Sequence, residues 1–282
     1  MTPGKTARTP GSANINTVDV IAVQKQFLTG TFLTGCKLAA ADVNGDTVVT
    51  TQDVIAVQRF FNGQTTAIAN VGKYQFTPVN RTYTGITTDQ TAQNYDTLVF
   101  GDVAAGFVEL PDGPSQTEAN NGTSAGELAA TVAAVALPEV AVAGSKSNFI
   151  AAVKASAIDA KNKLVGFQGD LIFDERVVTF QSQPVQKAGL TGGNWNVSGN
   201  VLPGAGPIRT VRISAYSNDF TALNGSGTLF ELRMSRVSTP AHSTQLLWAA
   251  PPDQFIFIDA DLKTQRPGNA TPGSVTRSGK QR

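Results

Sequence analysis

The sequence predicts a mainly β protein, a β-sandwich preceded by a small pair of α-helices. Three observations predict it. Hydrophobic residues make up 41% of the chain and charged residues only 15%, with 27 Gly and 14 Pro, the composition of a turn-rich β protein. Short β-like runs recur every ten residues or so from Ala133 to Asp259, the spacing of a sandwich or barrel. The first sixty residues instead carry a duplicated segment with helical periodicity.

The chain has 282 residues, enough for two hydrophobic cores. A formal net charge of +1 sets up no field that would attract nucleic acid, which is excluded as a partner class. Cys36 is the single cysteine, so neither an intrachain disulfide nor a zinc site built on paired thiolates can form. His242 is the single histidine and lies in a Thr/Ser/Pro-rich loop, a poor place for the base of a nucleophile pair. No apolar run reaches the roughly 18 residues that cross a membrane. The N-terminus lacks the apolar core of a secretory signal, and the expectation is that this sequence begins inside a longer one.

The duplicated segment is the hexapeptide Asp-Val-Ile-Ala-Val-Gln, at residues 19–24 and again, 34 residues later, at 53–58. Each copy leads into a cation, an aromatic residue and a glycine, so each reads as one short helix with a glycine stop. Val20, Val23 and Phe27 fall at i, i+3 and i+7, as do Val54, Val57 and Phe61, giving two apolar stripes that can pack on each other.

Directly before the second helix, oxygen-bearing side chains fall at positions 1, 3, 5, 9 and 12 of a loop: Asp42, Asn44, Asp46, Thr50 and Asp53, with the Val48 carbonyl at position 7. Calcium is a hard ion that takes six to eight oxygens, and alternate residues of a tight loop can all face it. Ca2+ is therefore the expected cofactor. Thr47 stands where such loops carry glycine, and Asp53 where they carry a longer glutamate. The other reading of the same residues is an Asn-Gly turn with Asp53 capping the helix and no metal. In the first copy Arg8, Pro10 and Ser12 occupy positions 1, 3 and 5, so that loop is expected to bind calcium weakly or not at all despite Asn14, Asn16 and Asp19.

Two calcium loops with one helix each, and the phrase Leu38-Ala-Ala-Ala-Asp-Val-Asn-Gly-Asp46, resemble a type I dockerin across about residues 8 to 64. The resemblance implies a module at 1–66 that docks on a cohesin through residues near positions 10 and 11 of each loop and the polar pair that follows. Those positions hold Thr17, Val18, Gln24 and Lys25 in the first copy, and Thr51, Gln52, Gln58 and Arg59 in the second. The same polar faces could equally be ordinary solvated surface.

Residues 67–103 alternate polar and apolar side chains in short strands, Lys73 to Tyr83 and Tyr95 to Phe100. They resemble the closing strands of a carboxypeptidase-regulatory-like β domain into which the helical pair is inserted, with opening strands upstream of Met1. This segment is expected to be poorly buried. Residues 104–128, rich in Gly, Ala, Ser and Asn with Pro111-Asp-Gly-Pro-Ser115, read as a linker.

Strands are expected at Ala133 to Val142, Phe149 to Ser156, Leu164 to Asp174, Val177 to Gln183, Thr210 to Ser217, Gly227 to Val237, Gln245 to Ala249 and Phe255 to Asp259. In the third, Val165, Phe167, Leu171 and Phe173 share one face if Gly169 pairs regularly. Val165-Gly-Phe-Gln with Leu171-Ile-Phe-Asp, then Arg212-Ile-Ser-Ala-Tyr-Ser217, then Leu223 to Leu232 resemble a cohesin in order and spacing. This implies a jelly-roll sandwich over 129–262 that receives dockerins, related to carbohydrate-binding modules. Trp195 and Trp248 are the candidate sugar-stacking rings of that second reading, against a reading in which Trp248 is core and Trp195 covers a sandwich end. Asp170, Asp174 and Glu175 cluster in sequence, but alternation and a turn scatter them, so no catalytic carboxylate pair is expected. Residues 263–282 carry five cations and no acid and read as a disordered tail.

The expectation is a non-catalytic extracellular or cell-surface scaffolding protein. Its partners would be cohesin or dockerin modules of other proteins or of other copies, in support of polysaccharide degradation. The alternative is a carbohydrate-binding accessory module.

Overall fold

The structure, a computed structural model, describes residues 1–12, 14–104, 132–142, 148–237 and 243–277. The chain divides into two units, Met1–Ala119 and Asn120–Arg282. The linker call therefore lies outside the described residues except for Ala104, and so does His242.

The first unit holds α1 (Thr17–Thr29), α2 (Gly35–Ala41) and α3 (Thr51–Phe61). Both repeat helices begin with a capping box, which satisfies backbone N–H groups that the first turn leaves without helical partners. Asn16 Oδ1 accepts from the Val18 N–H at 2.8 Å and Asp19 Oδ2 from the Asn16 N–H at 3.0 Å. At α3, Thr50 Oγ1 accepts from the Gln52 N–H and Asp53 Oδ2 from the Thr50 N–H. Gly30, at φ 71°, stops α1 in the left-handed conformation that glycine adopts without a steric penalty. The helices pack on each other through Val20, Val23, Val54, Val57 and Phe61, all buried as the stripes predict. Phe27 departs from its stripe and is 41% exposed. Gln26 turns inward instead, its Oε1 accepting from the Leu33 N–H at 2.6 Å, which fixes the turn into α2.

Two strands follow, β1 (Tyr74–Thr77) and β2 (Asp96–Val99), antiparallel with Tyr74 opposite Val99. The expectation of poor burial holds for most of this segment: Gln75 and Thr77 of β1 and Asp96 of β2 are exposed, as are Val79 and Ile86 between the strands. Val71, Val99 and Val103 are buried, so the ends of this segment close the helical core and are part of it. Two glycines permit that approach. A Cβ on Gly72 would lie 2.7 Å from the Phe60 ring, and one on Gly101 2.8 Å from Val71 Cγ1, and both residues have positive φ.

The second unit is a sandwich of β3 (Val135–Ala136), β4 (Glu139–Val142), β5 (Asn148–Ile158), β6 (Leu164–Asp174), β7 (Val178–Lys187), β8 (Trp195–Val201), β9 (Ile208–Ser217), β10 (Gly225–Arg236), β11 (Ser243–Trp248), β12 (Ile256–Asp259), β13 (Thr264–Gln265), β14 (Ala270–Thr271) and β15 (Gly273–Arg277). One sheet runs β14-β3-β5-β10-β7; the other runs β13-β12-β6-β11-β15-β4, with β9 on the far side of β6 and β8 beyond it. Phe167, Leu171, Ile213, Phe230, Leu232, Phe255 and Phe257 fill the space between them with less than 2% exposure. Gly169 pairs regularly with Ile213, so β6 keeps its alternation. A Cβ there would lie 2.8 Å from Phe255 Cα, so only glycine lets the 249–255 loop close on this strand.

Residues 263–277 are not the disordered tail that their charge suggests. At Pro138 the opening strand passes from one sheet to the other, β3 to β4, and the chain's last strands follow it: β14 pairs in parallel with β3, and β15 in parallel with β4. Val275 is fully buried. Residues 278–282 lie outside the described residues.

Across β6 and β9, Asp170 stands opposite Arg212, and both are buried. The pair is bidentate, Arg212 Nε to Asp170 Oδ1 at 2.9 Å and Nη2 to Oδ2 at 2.8 Å. Arg212 Nη2 also reaches Asp253 Oδ1 at 3.3 Å, and the Asp170 N–H donates to the Asp253 carbonyl at 3.0 Å. The pair thus holds the loop that covers it. Removing one member of a buried pair leaves an unpaired charge, so Asp170→Ala should cost the sandwich about 3–5 kcal/mol in denaturant unfolding, while joint replacement of Asp170 and Arg212 by apolar residues should cost far less. Ending the chain at Asp261 should abolish cooperative unfolding of the sandwich in calorimetry, because β13 to β15 would be lost.

Candidate functional site

The loop between α2 and α3 brings three of the expected ligands together. Asp42 Oδ1 accepts from the N–H groups of Gly45 and Asp46, and its Oδ2 from that of Thr47, at 2.8–3.2 Å. Asn44 Oδ1 accepts from the same Asp46 N–H at 2.9 Å, while its Nδ2 donates to Asp46 Oδ2 at 2.8 Å. Asp46 Oδ1 accepts from the Val48 N–H. The chain thereby folds into successive Asx turns, with Gly45 at φ 77° and Thr47 at φ 76°. Thr47 adopts the conformation that glycine usually supplies at this position, which is costly for a β-branched residue. The departure at Thr47 therefore leaves the turn intact.

Thr50 and Asp53 are placed differently. Thr50 caps α3 and donates its hydroxyl to Asp53 Oδ2 at 3.2 Å. Asp53 is fully buried, and its Oδ1 accepts from the N–H groups of Val43 and Asn44 at 3.0 and 3.3 Å. It ties the loop's entry to the helix start. The Val48 side chain is 57% exposed. Among the described residues no group of three or more His, Cys, Asp and Glu gathers to hold a metal. The oxygen set that fits a hard ion is Asp42, Asn44 and Asp46, whose lone pairs exceed the bonds they make to the loop, open to further oxygens from the Val48 carbonyl and water.

Of the expected docking residues, Thr51 and Gln52 are exposed, and Arg59 is half-buried with its guanidinium on Thr66 (Nε to the carbonyl at 2.9 Å, Nη2 to Oγ1 at 3.1 Å). Thr17, Gln24 and Gln58 are buried, at 0%, 3% and 3%, and cannot meet a partner as expected. Val18 and Lys25 are half-buried. Sequence reasoning missed Ile55, which is 44% exposed one turn beyond Thr51 and completes an outward stripe of Thr51, Gln52, Ile55 and Arg59. An isoleucine amid a helical apolar pattern carries no signal of which face it takes.

In the sandwich, Trp195 is buried and stacks on Phe167 with ring centroids 6.0 Å apart, so it presents no stacking platform. Trp248 is half-buried against Phe255 and lines an open groove of about 380 Å³ with Pro251, Pro267 and Arg266. The sequence neighbours Asp170, Asp174 and Glu175 each face an arginine: Arg212, Arg176 at 2.6 Å and Arg209 at 3.4 Å. Burial pushes the Asp170 carboxyl above its ordinary range against the pull of Arg212, whereas the bond from Arg176 holds Asp174 below it.

No curated protein sequence matches the chain. Among solved structures it is similar to a non-cellulosomal cohesin from the hyperthermophilic archaeon Archaeoglobus fulgidus (16% identity, TM-score 0.39, 54% of this chain and 94% of that one). It is also similar to a chain of the Coh-OlpC–Doc435 type I cohesin–dockerin complex from Clostridium thermocellum (15%, 0.41, 53% and 95%). A third is the cohesin module of a family 33 glycoside hydrolase from Clostridium perfringens (10%, 0.39, 53% and 100%). The model of the dockerin type I domain matches residues 11–62, the span of the two repeats with their helices.

Proposed function

We propose that the chain is a non-catalytic assembly protein of the cohesin–dockerin type, working outside the cell, whose helical unit docks on a cohesin-type sandwich and whose own sandwich serves as a receiving module. The observation that carries this reading is the dockerin type I match over residues 11–62, together with an outward stripe on α3 inside that span. A helix that leaves Ile55 exposed between Thr51, Gln52 and Arg59 offers an apolar anchor with a polar rim, the composition of a docking face. Any part in polysaccharide breakdown is indirect, through holding enzymes together.

Calcium is the ion that the loop's chemistry favours, held by Asp42, Asn44 and Asp46. It would fix the loop's turns and so the start of α3. Asp53 then acts on the protein side, as the buried cap that orients the helix. The sugar-binding alternative retains Trp248 and its groove as its single aromatic support, since Trp195 lies in the core.

Two outcomes test this. Titration calorimetry of the full chain with Ca2+ should show uptake that Asp42→Ala with Asp46→Ala removes, and a hundredfold excess over Kd should stabilise the unit by about 2.7 kcal/mol; no heat from the wild type contradicts the ion assignment. Against a panel of type I cohesin modules, Ile55→Asp should weaken binding roughly thirtyfold, the loss expected for an anchor worth about 2 kcal/mol. Binding to polysaccharides, with none to any cohesin, would favour the alternative.

A further inference from the structure

The two repeats share an identical hexapeptide, yet its isoleucine is 1% exposed in the first copy, Ile21, and 44% exposed in the second, Ile55. Something outside the repeat decides the difference. In the second repeat Asp53 Oδ1 accepts from two successive N–H groups of its own loop, Val43 and Asn44. The equivalent residues of the first repeat are Thr9 and Pro10, and proline has no N–H to give. Asp19 Oδ1 accepts instead from Val103 and Ala104, both at 2.9 Å and more than eighty residues along the chain. The second oxygen behaves alike in the two copies, accepting from Asn16 at 3.0 Å and from Thr50 at 2.8 Å.

The substitution extends to the residues around these bonds. Gly101-Asp-Val-Ala104 reads like Ala41-Asp-Val-Asn44, and Val103 and Val43 are both fully buried. Gly101 donates its N–H to the Ala40 carbonyl at 2.8 Å, where α2 ends, and a Cβ on it would meet Val71, Val57 and Ile15. Burial pushes the Asp19 carboxyl above the ordinary range, with the Ala104, Asn16 and Val103 N–H groups opposing.

We infer that Gly101–Ala104 stand in for the half-loop that the first repeat lacks and, by clasping Asp19, shut the Ile21 face of the first helix away from partners, so that the α3 copy of the hexapeptide is the one the helical unit offers. A module with two matching repeats could in principle be met from either side; the clasp removes one of them. For the partner this rests on the docking function proposed above, but the clasp itself can be read without any partner.

The test uses the full chain with Cys36, the exposed cysteine, changed to serine. In this background Ile21→Cys and Ile55→Cys place a thiol between the same neighbours. The thiol at position 55 should react with a maleimide at the rate of an exposed cysteine, and that at position 21 at least about a hundredfold more slowly. Adding Asp19→Ala with Gly101→Val should raise the rate at position 21 by at least tenfold or so and leave position 55 unchanged, which also shows that the second repeat is still folded. Equal rates at the two positions, or a rate at 21 that ignores the clasp variant, would overturn the inference. With type I cohesin modules as probe, Val18→Glu with Lys25→Glu should leave affinity within about twofold, while Ile55→Asp weakens it roughly thirtyfold; equal losses overturn the single face. If the wild type binds no cohesin, the docking function fails, and the labelling rates still decide the clasp.

Discussion

The helical unit depends on a buried carboxylate at the third position of each repeat helix. Asp53 and Asp19 both cap their own helix with one oxygen and use the other to collect two backbone N–H groups from a second segment. A carboxylate has lone pairs enough for all of these bonds, and bonds to a charged acceptor are among the stronger ones a fold can make. In the second repeat the collected segment is the loop's own entry, so the Asp42–Asn44–Asp46 turn and the start of α3 become one local structure. In the first it is the distant segment at Val103 and Ala104, and the hexapeptide face of α1 is buried, with Ile21 at 1% exposure. The same short sequence thus takes two surroundings, and Pro10 of the first copy offers no N–H where Asn44 of the second gives one.

The sandwich solves a comparable problem of closure at its own ends. Its opening strand is broken by Pro138 and changes sheets, which would leave two short, weakly held edges. The last described strands run parallel beside both halves, and Gly273 allows the approach, since a Cβ there would lie 2.3 Å from the Pro138 carbonyl oxygen. At the centre, the Asp170–Arg212 pair and Gly169 together seat the 249–255 loop over β6. The strand that carries these features is also the one most readily recognised from sequence.

What could be read beforehand follows from how local each determinant is. The helices of the hexapeptide repeat and the strand at Leu164–Asp174 were legible to the residue or nearly so, because capping residues, glycine stops and alternating bulk act over a few positions. The turn that brings Asp42, Asn44 and Asp46 together was legible from their spacing. The outward face of α3 was only half legible: periodicity places Ile21 and Ile55 alike, and nothing near Asp19 announces a hydrogen-bond partner at residue 103. Trp195–Val201 was missed as a strand because Asn, Ser and Gly have weak β preference and, among the described residues, the strand pairs with β9 alone. The cations of residues 263–277 suggested solvation, whereas alternation of buried Gly273 and Val275 with half-buried neighbours is what the sheet used.

The most direct measurement of the central claim is residue-resolved amide hydrogen exchange of the full chain by NMR. The Val103 and Ala104 amides, bonded to a buried carboxylate, should exchange as slowly as those of Val43 and Asn44 at the other repeat. If they exchange at the rate of exposed loop amides while Val43 and Asn44 stay protected, the capping aspartates do not organise both repeats, and the account of a one-faced helical unit is wrong.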